Sequence, residues 1–286
     1  LACNHIFKIP YKDLILNNYP DHLKQAMKRG KQNSSFSQRI LKKIEEATVD
    51  IIPWDISYVF FNGLNYNPRP VIQSFVAYSE NLDKLNANKY SSAESPDYVL
   101  YTMGTIDNRH PFWDESKTKL AMLRNFKVVD TAIISSKSRK TDSKKNFILM
   151  KKKSGASTMI EVKSINMVYT IGDTLQIPDT DNLIYLFADF EYTLFGELRR
   201  FLYQPNRISV LINYKGTSVS STNIAIVPIL KGGVLINKKV LTYNDAYTFF
   251  KTFGRNNENV QKVCFTPQSK GIENKVNITL KEFRFE

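Results

Sequence analysis

The spacing of apolar residues changes near Gly155, and this change constrains the fold more than any other feature of the chain. Between residues 49 and 155, short apolar runs typical of buried strands alternate with helical segments of about ten residues. Such alternation is typical of βαβ units, which build a mostly parallel sheet with right-handed crossovers. After Gly155 the helical spacing nearly disappears, and short strands separated by turn residues follow one another. The second pattern predicts an antiparallel β-sandwich of the jelly-roll kind.

These patterns divide the 286 residues into three segments. Residues 1–48 carry apolar side chains at helical spacing and predict a helical lead-in that packs on another part of the protein; a stalk that follows a membrane helix outside this sequence is an equal alternative. Residues 49–155 predict the α/β domain, in which residues 71–75 are expected to form a strand. Residues 156–286 predict the β-sandwich domain, with residues 197–203 among its strands.

Composition and charge limit the classes of partner. The chain is 42% hydrophobic, and its 18 Phe and 15 Tyr residues supply large surfaces for burial. No apolar run approaches the roughly 18 residues that a membrane-spanning helix needs, so the chain is not expected to cross a membrane. The formal net charge is +13, and a basic, serine-rich stretch covers residues 137–153. We interpret this stretch as a solvated hairpin; contact with a polyanion or a membrane surface is the alternative, and nucleic acid is not the expected partner.

Two cysteines, Cys3 and Cys264, lie near opposite ends of the chain. They permit one disulfide that ties the termini together in an oxidising compartment, although two unrelated free thiols are the favoured interpretation. The tripeptide at residues 1–3 resembles the end of a lipoprotein signal but is too short to establish one.

Polar residues concentrate in two stretches of the α/β segment, residues 65–78 and 105–115. In the predicted sheet, residues 73–78 and 105–115 follow the carboxyl ends of neighbouring strands, the edge at which open α/β sheets bind ligands. We therefore predict that side chains from both stretches converge on one ligand-binding crevice. The predicted site residues are Gln73, Tyr78, Asp107, Arg109, His110, Asp114 and Glu115. Arg69 precedes its predicted strand, so it is expected at the opposite edge and is a weaker candidate.

The same residues also have structural interpretations, which are favoured. Asp114 suits the N-cap of a helix, and Glu115 suits the first turn, where a negative charge is favourable. A catalytic alternative pairs Asp107 with Asp114 or Glu115 as the acid and base of a glycosidase-like enzyme. Such a pair needs a separation of about 5 to 10 Å.

Other familiar chemistries lack their sequence signatures. His5, His22 and His110 lie far apart, with no cysteine or acidic partner at metal-ligand spacing. The sequence contains no dinucleotide-binding G-x-G-x-x-G, no P-loop and no G-x-S-x-G nucleophile elbow. We therefore expect no metal site and no cofactor.

The β segment is rich in aromatic residues that strand alternation divides between two faces. We interpret them mainly as core or interdomain packing, with a carbohydrate-stacking platform as the alternative. These aromatic residues are Tyr185, Phe187, Phe190, Tyr192, Phe195, Phe201 and Tyr203.

Several runs of the α/β segment resemble the soluble tail of uncharacterised bacterial polytopic membrane proteins. These runs are residues 49–54, 67–78, 82–87, 96–101 and 106–109. Some of those proteins are similar, in their transmembrane part, to membrane-embedded glycosyltransferases that use lipid-linked sugars. The resemblance covers roughly residues 49–130 and is looser over residues 226–250. It implies no catalytic residue, because none is established for this region of the family.

The resemblance implies an extracytoplasmic domain, in the periplasm or at the cell surface, whose membrane tether lies outside this sequence. We therefore expect an accessory domain of a bacterial cell-envelope membrane protein that binds a glycan or an envelope protein. The alternative is a hydrolase or transferase that acts on envelope glycans through Asp107, Asp114 or Glu115.

Overall fold

The computed structural model describes residues 19–137, 142–202, 205–216, 218 and 220–286. The helices of this part are α1 (Tyr19–Asn33), α2 (Gln38–Ile44), α3 (Ser57–Phe61), α4 (Glu80–Ser91), α5 (Ser116–Asn125), α6 (Leu194–Leu202), α7 (Val227–Gly232) and α8 (Tyr243–Thr252). The strands are β1 (Thr48–Ile52), β2 (Asn65–Tyr66), β3 (Tyr98–Tyr101), β4 (Phe126–Lys137), β5 (Asp142–Lys152), β6 (Met159–Thr170), β7 (Leu175–Gln176), β8 (Leu183–Tyr192), β9 (Arg207–Tyr214), β10 (Ser220–Ile226), β11 (Val234–Leu235), β12 (Val260–Pro267) and β13 (Ile272–Phe285).

The first half forms a five-stranded sheet in the order β2-β1-β3-β5-β4. Strand β1 pairs in parallel with β2 and with β3, whereas β5 runs antiparallel to both β3 and β4. Four of the five strands therefore run in one direction, and the predicted mostly parallel sheet is confirmed. Strands β4 and β5 pair as a hairpin, and β5 covers most of the basic stretch; residues 138–141, between the two strands in the sequence, lie outside the described residues.

The strand predicted at residues 71–75 is absent from the structure, and this prediction was wrong. The backbone of Val71 pairs with a side chain instead of a neighbouring strand. Its N–H donates to Asn86 Oδ1 at 2.8 Å, and its carbonyl accepts from Asn86 Nδ2 at 2.9 Å. The parallel neighbour of β1 on this side is the short strand β2.

Both faces of this sheet are covered. On one face, Ile40 and Ile44 of α2 are buried in a cluster with residues of β1, β3 and β5, so this part of the lead-in packs on the sheet. On the other face, a second cluster combines sheet residues with Tyr185 of β8 and with Phe249 and Phe250 of α8. The two halves of the chain thus share buried surface, and the domain boundary near residue 155 stays a prediction.

The second half contains two four-stranded antiparallel sheets, ordered β10-β9-β12-β7 and β11-β8-β13-β6. Buried side chains of both sheets, such as Val210 from the first and Leu186 from the second, belong to one apolar cluster. Along β13, the inward residues Val276, Ile278 and Leu280 alternate with exposed or partly exposed ones, as predicted. The arrangement is consistent with a β-sandwich.

The strand predicted at residues 197–203 was also wrong, because residues 194–202 form helix α6. Apolar residues recur there at Leu194, Leu198, Phe201 and Leu202, which is the spacing of a helix face rather than of a strand. Of the aromatic residues assigned to packing, Tyr185 and Phe190 are buried, and Tyr203 lies outside the described residues.

Two further predictions concern the termini and the membrane. Cys264 is unbonded in the described part of the chain, and its Sγ lies 3.3 Å from the carbonyl oxygen of Gly172. Cys3 lies outside the described residues, so the favoured interpretation of two free thiols and the alternative of a disulfide both stay predictions. Within the described ranges, no helix is both long enough and apolar enough to span a bilayer.

Candidate functional site

The two polar stretches of the α/β half are in direct contact. Arg109 Nη1 donates to the carbonyl oxygen of Phe75 at 3.1 Å, and Ser74 Oγ donates to Glu115 Oε2. The segment that follows Arg109 also enters the sandwich, because Trp113 lies in its core and donates from Nε1 to the carbonyl oxygen of Leu235 at 2.8 Å. The two polar stretches therefore meet, and they do so in a packed layer between the two halves of the chain.

Arg69 lies at the centre of this layer and not at the far edge where the sequence placed it. The prediction assumed a strand at residues 71–75, and that strand does not form. The guanidinium is 0% exposed and forms ion pairs with Asp50 at 3.2 Å and with Glu115 at 2.9 Å. Its remaining N–H groups donate to three backbone carbonyls, which belong to Ile51, Pro53 and Ile72. All five of its donors thus have acceptors inside the protein.

Two further polar side chains, those of Tyr90 and Asn86, complete the network around Arg69. Tyr90 donates its hydroxyl to Asp50 Oδ2 at 2.7 Å, and the Asn86 amide donates to Glu115 Oε1. Sequence reasoning missed Asp50, Asn86 and Tyr90 as members of this network. The available signal was Asp50 itself, since an isolated carboxylate in an apolar strand must find a partner when it is buried.

Helix α5 begins differently from the prediction. Glu115, with φ of 55°, and not Asp114, occupies its N-cap position, and the Glu115 side chain does not cap the helix. The first amides of α5 are capped from the neighbouring helix α4, because Lys117 N and Thr118 N donate to the Asp83 carboxylate at 2.8 and 2.9 Å. The interpretation of Asp114 as the N-cap was therefore wrong.

Asp114 instead lies between two cations. Its Oδ1 is 3.4 Å from Arg109 Nη1, and the Lys119 ammonium donates to its backbone carbonyl. Burial raises the pKa of Asp114, and the charges of Lys119 and Arg109 offset part of this rise. Burial lowers the pKa of Lys119, while nearby carboxylates, Glu115 first among them, act in the opposite direction.

The buried layer holds more acids than bases. Its four carboxyl groups belong to Asp50, Asp83, Asp114 and Glu115, and its three cations belong to Arg69, Arg109 and Lys119. Burial raises the pKa of Asp83 to about 6 and also raises that of Asp50. Asp83 is therefore mostly ionised at pH 7 and takes up a proton as the pH falls through about 6.

His110 is part of the same layer as a neutral side chain. It is buried, and its ring stacks on Trp113 with the centroids 4.3 Å apart. Its Nδ1 accepts from the backbone N–H of Phe112 at 3.2 Å. Burial, with a contribution from the charge of Lys119, lowers the pKa of His110 to about 3. His110 therefore remains uncharged at physiological pH.

The predicted crevice is closed. Where Tyr78, Asp83, Trp113 and Glu115 meet, the remaining cavity has a volume of about 10 Å³, space for one water molecule. The other predicted residues lie outside the buried network: Gln73 and Tyr78 are exposed, and Asp107 forms an exposed ion pair with Arg207 at 3.4 Å.

An open groove of about 460 Å³ lies beside the buried layer, where the loop at residues 105–111 meets β9 and β10. The loop pairs with the edge strand β10, since Ile224 N donates to the Asn108 carbonyl at 2.9 Å and His110 N to the Ile224 carbonyl at 3.3 Å. Asp107 and Asn108 have φ values of 53° and 55°, a region that these two residue types tolerate better than most.

Uncharged hydrogen-bonding groups dominate the lining of this groove, with Arg109 as its cation. The lining residues are Thr105, Asn108, Arg109, Pro111, Ser209, Thr222, Asn223, Ile224, Leu241 and Gln268. A second groove, of about 630 Å³, lies between α4, β8, α6 and α7 and is lined by several charged side chains. In the described part of the chain, no group of three or more His, Cys, Asp or Glu residues is placed to hold a metal ion.

Comparison of the chain with protein-family models, with curated proteins and with solved structures finds no match.

Proposed function

We propose that this chain is a recognition domain of a bacterial cell-envelope membrane protein. It lies outside the cytoplasm, is tethered to the membrane in the full-length protein, and binds a glycan without catalysing a reaction. The observation that carries the proposal is the contrast between the closed, ion-paired layer and the open groove beside it. The groove takes the ligand, and the layer holds the loop at residues 105–111 in place.

The state of the carboxylates favours recognition over hydrolysis. A glycosidase needs two carboxyl groups that reach the scissile bond from opposite sides. Glu115 is paired with Arg69, Asp114 lies against Arg109 and Lys119, and both acidic residues are buried. Asp107 is accessible, but it forms an ion pair with Arg207. The hydrolase or transferase alternative therefore has less support.

The chemistry of the groove suits a sugar. Hydroxyl and amide side chains both donate and accept hydrogen bonds, which matches the hydroxyl groups of a glycan. Thr222 and Gln268 are exposed at the groove, and Gln268 Nε2 donates to Ser209 Oγ at 3.0 Å, so the amide is already oriented. The guanidinium of Arg109 adds a donor for a ring oxygen or for an acidic sugar.

We also propose that the second half is a jelly roll, and its strand order supports this. Counted within this half, the first strand β6 pairs with the eighth β13, and the second β7 pairs with the seventh β12. The third β8 pairs with the sixth β11, and the fourth β9 with the fifth β10. Nested pairing of this kind describes one long hairpin folded over into two sheets. Jelly rolls occur among lectin domains, and the likeness is one of architecture.

A glycan array followed by thermal-shift measurements tests the proposal. We expect a glycan that stabilises the parent protein by about 2.7 kcal/mol at a concentration of 100 times Kd. The double variant Thr222→Ala/Gln268→Ala removes two exposed side chains of the groove and should weaken binding roughly tenfold while leaving the fold intact.

The matched control is Ser164→Ala, an exposed substitution on the outer face of β6 in the other sheet. It should bind the glycan as the parent does. Binding that is unchanged in the double variant, or lost equally in the control, would exclude the groove as the site. Release of a cleaved product from any glycan on the array would favour the enzymatic alternative.

A further inference from the structure

Helix α6 presents its apolar side chains to solvent. Leu194, Phe195, Leu198, Phe201 and Leu202 are between 56% and 94% exposed. A surface helix of a folded domain normally turns such a face toward the core. Here five of the nine residues of the helix are large, apolar and uncovered.

The orientation of α6 is fixed by a close backbone contact on its opposite side. Gly196 is buried, and a Cβ atom at this position would lie 1.8 Å from the carbonyl oxygen of Gly271. Thr193 also donates its N–H to the Gly271 carbonyl at 3.2 Å, which holds the start of the helix at the same point. At 3.6 residues per turn, Gly196 lies about 160° around the helix from the centre of the apolar face. The anchored helix therefore points that face directly away from the protein.

The charges around the helix suit an anionic surface. Two exposed ion pairs, Arg200–Glu197 and Lys231–Asp189, are each 2.8 Å long, and the charges within each pair cancel. Arg199 on the helix, and Lys270 and Lys275 in the segment around Gly271, have no ion-pair partner among the described residues, against two such carboxylates, Glu191 and Glu273. The whole chain carries a net charge of +13, which attracts it to an anionic surface over a longer range.

The size of the face distinguishes between possible occupants. A nine-residue helix is about 14 Å long and about 10 Å wide, far smaller than the roughly 800 Å² per partner of a stable protein interface. A bilayer needs no complementary shape, and a helix with leucine and phenylalanine on one face and cations beside it is typical of interfacial insertion.

We propose that α6 docks this protein on an anionic lipid bilayer. The side chains of Leu194, Leu198 and Phe201 enter the boundary between headgroups and acyl chains, and Arg199 and Lys270 contact lipid phosphates. This contact lies apart from the glycan groove at residues 105–111. The membrane proposal and the glycan proposal can therefore be tested independently.

The test is co-flotation of the purified chain with vesicles. We expect binding to vesicles of equal parts phosphatidylcholine and phosphatidylglycerol, and weaker binding to pure phosphatidylcholine. The double variant Leu194→Gln/Phe201→Gln should bind the anionic vesicles at least tenfold more weakly, because two of the inserting side chains become polar. Both positions are more than 85% exposed in the parent, at 94% and 86%, so the fold should be retained.

The matched control is Ile133→Gln/Val168→Gln, which removes two apolar side chains, 65% and 67% exposed, from strands β4 and β6. It should bind vesicles as the parent does. A third variant, Phe201→Trp, should show blue-shifted tryptophan emission on anionic vesicles, which reports insertion at this position.

Three outcomes would overturn the proposal. They are failure of the parent to float with anionic vesicles, binding by the α6 variant that equals that of the parent, and an equal loss of binding in the control. A concentration-dependent dimer that α6 substitutions abolish, without vesicle binding, would instead assign the face to a second copy of the chain.

Discussion

At the scale of single residues, the guanidinium of Arg69 connects the segments that build the first half. It donates to one backbone carbonyl within β1, to one directly after β1 and to one after Pro70, and it pairs with a carboxylate from β1 and one at the start of α5. Two carboxylates and three carbonyls would be left buried without it. Such groups are costly in a protein interior unless a donor faces them.

We predict that Arg69→Met lowers the free energy of unfolding by about 3 to 5 kcal/mol, since removing one partner of a buried ion pair leaves the other uncompensated. Arg69→Lys should fall between the parent and the methionine variant, because lysine keeps the charge but not the five-donor geometry. Urea unfolding at neutral pH measures both. Arg255→Met, at an exposed position, serves as the control and should change stability by less than about 0.5 kcal/mol.

The second residue-scale prediction concerns pH. His110 has a folded pKa of about 3 against an unfolded value near 6.5, so the unfolded chain takes up the proton first as the pH falls. Its contribution should therefore lower stability progressively below pH 6.5, by about 2 kcal/mol between pH 7 and pH 5. Asp83, whose folded pKa is raised to about 6, acts in the opposite direction over part of this range.

The variant His110→Asn isolates the histidine, because asparagine offers an oxygen to the Phe112 amide and does not titrate. The difference in unfolding free energy between parent and variant should change by about 2 kcal/mol from pH 7 to pH 5. A constant difference across that range would contradict the prediction, because it would mean that His110 has the same pKa in the folded and the unfolded protein.

The site was predictable only in part at this scale. The sequence predicted that residues 73–78 and 105–115 would meet, because each stretch was expected to follow the end of a strand. The two stretches are in contact. The sequence could not show that Glu115 and Asp114 would be closed off by Arg69, Arg109 and Lys119, because partners far apart in the chain meet only after folding. Burial of charge depends on this long-range packing, whereas strand ends follow from local periodicity.

At the scale of elements, helices α4 and α5 are joined through Asp83. We predict that Asp83→Ala costs more stability than Ser79→Ala, although both residues accept hydrogen bonds from helix amides. Ser79 caps α4 through one bond of 3.4 Å, whereas Asp83 accepts from Lys117 N, Thr118 N and the Thr118 hydroxyl. A single cap contributes about 0.5 to 2 kcal/mol, so we expect Ser79→Ala near the lower limit and Asp83→Ala at or above the upper one. The stabilities of the two variants are compared through their midpoints of urea unfolding, which report stability when the m-value is unchanged.

Elements were predicted well where apolar spacing alone decides the structure. Strands β1 and β3 and helices α4 and α5 follow the alternation expected between residues 49 and 155, and β9, β12 and β13 are among the strands expected after Gly155. The predictions failed at residues 71–75, where an asparagine side chain replaces a strand neighbour, and at residues 197–203, where apolar residues at helical spacing were interpreted as a strand. Both failures come from short segments, in which few residues distinguish one period from the other.

At the scale of the whole molecule, buried surface shared between the halves should make them unfold together. Phe250 of α8 lies 5.0 Å from the ring of Tyr101 in β3, and Trp113 enters the core of the second half. We predict that Phe250→Ala costs about 3 to 5 kcal/mol and moves the unfolding of both halves to the same lower midpoint. The measurement follows unfolding by tryptophan fluorescence and by far-ultraviolet circular dichroism. The two unfolding curves should coincide if both halves unfold together. Phe60→Ala, at an exposed ring, is the control, and separate transitions in the Phe250 variant would contradict the prediction.

The pairing of β6 with β13 has a consequence for how the protein is made. As the chain leaves the ribosome, β6 emerges well before the strand that will cover its hydrogen-bonding edge. At about 5 to 20 residues per second, translation from Thr170 to Ile272 takes on the order of ten seconds. During that interval β6 is an open strand edge that can pair with another nascent chain. A premature stop before β13 would therefore leave a β6 edge without its partner strand, and a chaperone that shields it has a defined period in which to act.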